Sequence, residues 1–237
     1  MPPVGGIRAD ATLGAVIVAG GAGARLGVEG DKALVPLAGV PMAQHVVDVV
    51  ARLACRVAVA CGSQEQAHRV IAAIQWPVGV EAVPAVDTPG CGMPGPLAGI
   101  AAGLRACGLP RCLVVAYDMP FLSGAVLARL DQMAQGHDAA APRLGPVRAV
   151  EPLCAVYSLT CVRTIDALLA AGKAKASSLL ESVDSVYLDA DECYRLDPSG
   201  MGFFNANVPA DIEWATGVLR RRDHGGAGHP CRCPDWG

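Results

Sequence analysis

The chain has 237 residues, 52% of them hydrophobic and 17% charged, with a net charge of −3. That balance supports a sizeable core and excludes a disordered chain, and the absence of a basic surplus excludes nucleic acid as the main partner. No apolar run reaches the ~18–20 residues of a membrane-spanning helix, so the membrane is not an expected partner and any anion site must be local.

Residues 1–11 read as a loose leader, 12–219 as one α/β domain, and 220–237 as a basic, glycine-rich tail. Arg8 ahead of an apolar stretch looks superficially like a signal peptide, but Asp10 interrupts it and the cleavage region would fall in a glycine loop. The chain therefore reads as cytoplasmic. Of its ten cysteines, Cys55, Cys61, Cys112 and Cys154 sit among apolar neighbours, as small core residues of a reducing compartment do. Cys231 and Cys233, with His229 nearby, lack a second pair to complete a metal site and read as part of the tail.

In chain order, Gly14 to Val18 is continuously apolar, as a central parallel strand covered on both faces would be. It runs into Gly20-Gly21-Ala22-Gly23-Ala24-Arg25-Leu26-Gly27, followed by Asp31-Lys32-Ala33-Leu34. Glycines let backbone N–H groups approach a ligand's oxygens, and Arg25 and Lys32 add positive charge, so the loop reads as a triphosphate site. It is not a Walker A loop, since Gly27 precedes Val28 and Lys32 precedes Ala33. It is not a dinucleotide fingerprint either, since Leu26 stands where the third glycine would be.

Lys32 to Leu37 reads as extended and Met42 to Leu53 as a helix. A strand (Val57 to Ala60), a helix (Gln64 to Ile74) and a third strand (Val80 to Val83) follow. Alternation of this kind predicts parallel βαβ units in a doubly wound sheet. Asp87 to Pro96, rich in glycine and proline, is a loop at the ligand-binding edge, and Leu97 to Ala106 is a helix.

Cys112 to Phe121 is the second focal stretch, a buried strand that delivers Asp118 at its carboxyl end. One such carboxylate suffices for Mg²⁺ bound with nucleotide phosphates, which complete the octahedron with water. The alternative is that Asp118 caps the helix beginning near Ser123, although Ser123 is the better-placed cap. Glu151 to Tyr157 reads as another strand, and Val162 to Ala171 as a helix that Gly172 ends. Lys173 and Lys175 are either a solvated helix end or an anion contact. Asn205 to Asp211 is polar and turn-like, with a helix from Pro209 to Leu219.

Together these residues resemble the MobA-like nucleotidyltransferases, the molybdenum cofactor guanylyltransferase family. The resemblance rests on Val18-Ala19-Gly20-Gly21, Arg25-Leu26-Gly27, Asp31-Lys32-Ala33-Leu34, Gly95 to Ile100, Asp118 to Leu122, Glu151-Pro152-Leu153 and Phe204 to Asp211, in the family's order. It implies a Rossmann-like, mostly parallel sheet with helices on both faces, as in nucleotide-diphospho-sugar transferases. It also implies transfer of GMP from GTP to molybdopterin with release of pyrophosphate, Mg²⁺ as cofactor, and other molybdenum cofactor biosynthesis proteins as partners. By resemblance Val18, Ala19, Gly20 and Gly21 contact the nucleotide, Lys32 and Arg25 its phosphates, Asp87 the nucleoside, and Asp118 both nucleotide and metal. Asn205, Asn207, Lys173 and Lys175 fall on the acceptor side. The chain departs from the family in carrying Cys61-Gly62-Ser63 where an asparagine is usual. Its Ala19-Gly20-Gly21 spelling favours guanine over the Ala-Ala-Gly of cytidylyltransferases. Rival readings are a cytidylyltransferase for the same cofactor, a guanylyltransferase for cobinamide phosphate or phospholactate, and a GTP-binding module without turnover.

Overall fold

The computed structural model describes residues 12–20, 30–86, 95–145 and 150–223. Gly21, Arg25, Asp87, the leader 1–11 and residues 224–237 lie outside the described residues.

β1 (Leu13–Val18) is buried along its whole length. A 3-10 turn (Lys32–Leu34) and a short hairpin of β2 (Pro36–Leu37) and β3 (Val40–Pro41) lead into α1 (Met42–Val50). There follow β4 (Arg56–Cys61), α2 (Gln64–Ala73), β5 (Glu81–Val86), α3 (Pro96–Cys107), β6 (Arg111–Ala116), α4 (Gly124–Met133) and β7 (Ala139–Arg143). The chain continues through β8 (Cys154–Ser158), α5 (Cys161–Ala170), α6 (Ser177–Leu180), β9 (Ser185–Asp189), α7 (Ala190–Leu196) and α8 (Pro209–Asp223).

Apart from the β2–β3 hairpin, the strands form one seven-stranded sheet in the order β5-β4-β1-β6-β8-β7-β9. β1 pairs in parallel with β4 and β6, as β4 does with β5. β8 alone is reversed, antiparallel to both β6 and β7. Successive side chains of a strand point to opposite faces, and the core divides accordingly. Ala15, Ile17, Val57, Val59, Leu113 and Val115 pack with α1, α2, α4, α7 and α8 on one face. Val16, Val18, Ala58, Ala60, Cys112 and Val114 pack with α3, α5 and α6 on the other. On that second face α3 approaches β1 so closely that a Cβ on Gly103 would collide with the Val16 side chain.

The expected mostly parallel α/β architecture is present, with local differences. Lys32 to Leu34 forms a 3-10 turn, closed by Leu34 N–H to the Asp31 carbonyl (2.9 Å) and Val35 N–H to that of Lys32 (3.1 Å), and extended structure begins only at Pro36. β6 ends at Ala116, so Asp118 stands on the turn just past the strand. Ser123 is the N-cap of α4, its Oγ accepting the Val126 N–H. β7, β9 and α7 were not expected. β7 is an alanine-rich run of weak β propensity that pairing with β8 and β9 holds extended. α8 runs beyond Leu219 to Asp223, so the expected tail boundary at 220 falls inside a helix. Cys61, Cys112 and Cys154 are buried and outside any disulfide as expected, whereas Cys55 is only half-buried. Among the described residues no helix is long and apolar enough to cross a membrane.

Candidate active site

In open α/β sheets ligands bind beyond the carboxyl ends of the parallel strands. Here that edge presents Val86 of β5, Cys61 of β4, Val18 of β1 and Ala116 of β6, and then, because β8 is reversed, the segment that enters β8. β1 and β6 lie at the middle.

The end of β1 is held on both sides. Ala19 N–H donates to the Ala60 carbonyl (2.8 Å) and Tyr117 N–H to the Val18 carbonyl (3.3 Å). Val18 and Ala19 are buried, so the chain leaves the core at half-buried Gly20, where the glycine loop starts. Their part in a site is to fix that departure point.

Asp118 sits beside this point. Burial is the main cause that pushes its carboxyl up to about 6; the charge of Glu151 adds to the rise, while its own backbone hydrogen bond and the charge of Lys32 oppose it. Its Oδ1 is buried and has no hydrogen-bond partner among the described residues. A buried carboxylate oxygen without a partner is costly and calls for a cation or donor to face it. The structure thus brings Lys32 and Asp118 into one electrostatic neighbourhood. Neighbouring Asp31 is engaged elsewhere, accepting from Arg69 Nε at 3.0 Å.

Glu151, of the Glu151-Pro152-Leu153 motif, lies on the segment that enters β8, and its charge reaches Asp118. β6 and β8 pair Val115 with Cys154, and the Ala116 N–H bond to the Leu153 carbonyl (3.0 Å) continues that register to the end of β6, after which Tyr117 and Asp118 form a turn. The only signal in the sequence was a carboxylate just ahead of an apolar run, and its meaning depended on the reversed direction of β8.

Glu151 also lines a cavity of about 490 Å³ with Gly95, Pro96, Leu153, Lys175 and Ser177 among its walls. Gly95 is required there by close approach: a Cβ would lie 2.9 Å from both the Cβ and the carbonyl oxygen of Ala174. The two lysines expected on the acceptor side separate. Both are exposed, but Lys175 lines this cavity, whereas the Lys173 backbone N–H closes the end of α5 on the Leu168 carbonyl (2.9 Å), after Gly172 in the left-handed conformation (φ +74°).

The two asparagines expected on the acceptor side flank Ala206, whose N–H donates to the Asp118 carbonyl oxygen (2.8 Å). Half-buried Asn205 donates from Nδ2 to the Phe203 carbonyl (3.3 Å). Asn207 is exposed, and its N–H, like that of Val208, is taken by Asp211 Oδ2 at 2.7 and 2.9 Å. Among the described residues, Asp118 therefore stands between a β1 half and a β8 half of the same edge, with oxygen donors available to a cation and Lys32 available to an anion.

The profile of the MobA-like NTP transferase domain matches residues 15–186. A probable molybdenum cofactor guanylyltransferase of Pelotomaculum thermopropionicum is 34% identical over 197 residues, 83% of this chain and 88% of that protein. Another, from Natronomonas pharaonis, is 36% identical over 207 residues, 84% and 95% of the two chains. Among solved structures, molybdopterin-guanine dinucleotide biosynthesis protein A of Archaeoglobus fulgidus superposes with a TM-score of 0.72 at 26% identity, covering 88% of this chain and 99% of that one. Motif order, sheet topology and these similarities agree, and the chain belongs to the MobA-like NTP transferase family.

Proposed function

We propose that this protein is a molybdenum cofactor guanylyltransferase, which transfers GMP from GTP to molybdopterin, releases pyrophosphate and forms molybdopterin guanine dinucleotide. The observation that carries the reading is the buried, unpartnered Oδ1 of Asp118 at the middle of the carboxyl edge. Support for guanine as the base comes from what the relatives' names say of those proteins and from the Gly20-Gly21 spelling of the loop.

In this reading GTP lies over the β1 half, with Gly20, Gly21 and the loop amides against its phosphates and Asp87 toward the nucleoside. Lys32 and Arg25 supply fixed positive charge to the same phosphates. Molybdopterin occupies the β8 half, where the cavity is lined by apolar side chains together with Lys175, Ser177 and the Glu151 carboxylate, and Asn205 and Asn207 are its other expected contacts. Asp118, within reach of the Glu151 charge, stands at the boundary between donor and acceptor. Mg²⁺ fits that chemistry, since it binds nucleotide phosphates through one or two carboxylates. Asp118 would hold it, and its bound charge would offset the charge that accumulates on the phosphates.

The acceptor's terminal phosphate attacks the α-phosphorus of GTP in line. A new P–O bond forms as the bond to the bridging oxygen breaks, and that electron pair leaves with pyrophosphate. The nucleophile is already ionised near neutral pH, so the chain needs no general base. Lys32 and the loop amides act by holding the two anions in line and by meeting charge at the transition state.

The test is direct. Purified protein with Mg²⁺, GTP and molybdopterin should release pyrophosphate and form the guanine dinucleotide, CTP should replace GTP poorly, and Asp118→Ala should be inactive. Full activity of Asp118→Ala would remove the metal assignment, and preference for CTP would move the chain to the cytidylyltransferases.

A further inference from the structure

Two loops that meet at Asp118 are zipped together along their length. One runs from Asp118 to Ser123, after β6, and the other from Gly202 to Ala206, ahead of α8. Ala206 N–H donates to the Asp118 carbonyl oxygen at 2.8 Å. Next along, the Phe121 and Phe204 rings lie 5.7 Å apart between centroids. At the far end a Cβ on Gly202 would lie 3.4 Å from the Ser123 backbone nitrogen, so the two main chains nearly touch there. The contacts run antiparallel, and Asn205 falls between the second and the first.

A side chain from a third element joins both loops. Trp214 of α8 stands edge-on to Phe121 at 5.8 Å with an interplanar angle of 88°, and at 4.7 Å from Phe204. Both separations fall in the range where aromatic rings attract beyond simple burial. Arg222, further along α8, places its guanidinium 5.2 Å from the centre of the Phe121 ring. Phe121 and Phe204 are almost wholly buried, while Trp214 is half-buried. The helix start is itself tied to the second loop through Asp211, which holds the N–H groups of Asn207 and Val208.

We infer that Trp214 is a positioning residue for the transfer reaction. By bridging Phe121 and Phe204 it fixes the loop carrying Asn205 against the loop carrying Asp118, so that the acceptor is held in line with the metal carboxylate. The inference rests on the proposed placement of Asn205 on the acceptor side. Along the loops themselves, the Phe121–Phe204 pair is the ring contact nearest Asn205. The third ring makes a triangle, which resists sliding in a way that a pair does not.

The test compares Trp214→Phe, which keeps an aromatic ring, with Trp214→Leu, which keeps apolar bulk and loses it. In Trp214→Leu the KM for molybdopterin should rise roughly tenfold, the size expected when about one hydrogen-bonded contact is lost, with the KM for GTP within about twofold of wild type. Trp214→Phe should restore most of the difference. Amide hydrogen exchange supplies a readout independent of turnover: the Ala206 amide should exchange faster in Trp214→Leu, and Trp214→Phe should protect it again, with amides of β1 unchanged in both. Equal changes in the two KM values, or an Ala206 amide indifferent to the substitution, would overturn the inference. Absence of guanylyl transfer by the wild type would instead overturn the proposed function, and the exchange measurement would still decide whether Trp214 couples the loops.

Discussion

Replacing Asp118 by Asn should make the protein inactive and more stable. The substitution keeps the shape of the side chain and removes its charge. In the folded chain the carboxyl is pushed from its ordinary 3.8 up to about 6, chiefly by burial. A rise of that size corresponds to at most roughly 3 kcal/mol of folding free energy lost when the group ionises. The folded state keeps its proton to higher pH than the unfolded chain does. The penalty is accordingly absent below about pH 4, develops between pH 4 and 6, and is complete at pH 7.5. Asn carries no such penalty, although its amide needs hydrogen-bond partners of its own, so the estimate is an upper bound. For a chain of this size the gain corresponds to roughly 6–12 °C in Tm at pH 7.5, shrinking toward zero near pH 4. Scanning calorimetry at several pH values, with and without MgCl₂, measures it. Mg²⁺ should raise the Tm of the wild type at pH 7.5 and leave that of Asp118→Asn unchanged. A variant no more stable than wild type at pH 7.5 would refute the reasoning that burial of this charge costs the fold stability.

Three other outcomes follow from neighbouring contacts. Lys32 and Glu151 pull the Asp118 carboxyl in opposite directions, so the acid limb of the pH–rate profile should move up in Lys32→Met and down in Glu151→Gln; shifts of the same sign would contradict the shared neighbourhood. Lys175→Ala should raise the KM for molybdopterin, whereas Lys173→Ala, outside the cavity wall, should leave it near wild type; the reverse order would misplace the acceptor. Gly103→Ala puts a Cβ into the Val16 side chain and should cost about 1–3 kcal/mol, the usual range for overpacking, read from urea denaturation; an unchanged midpoint would show that α3 can shift freely.

Much of the fold could be read in one dimension because its signals are local. β1 is wholly apolar, and β4 and β6 are apolar after one leading arginine, as strands covered on both faces must be, and Ser123 occupies the position before α4 where a hydroxyl can meet the Val126 N–H. The strands that escaped notice lack such a mark. Ala139 to Arg143 has little β propensity of its own and is extended because β8 and β9 flank it. The 3-10 turn at Lys32 differs from the expected extended segment because its two closing hydrogen bonds are made by backbone groups alone, with no side-chain cap.

The candidate site divides in the same way. Lys32 stood out beside the glycine loop and Asp118 at the end of an apolar stretch, and that setting gave their readings as phosphate and metal contacts. Glu151 and Trp214 did not stand out, since a carboxylate before a strand and a tryptophan on a helix are ordinary features whose meaning lies in what they face. Residue order was enough to specify the parallel βαβ units, the glycine loop and the lone carboxylate, because each depends on chemistry within about ten consecutive positions. The reversal of β8 brings Glu151 to the edge where its charge reaches Asp118, and the docking of α8 places Trp214 between two loops. Both depend on contacts between segments far apart along the chain, and they exist only once the sheet has assembled.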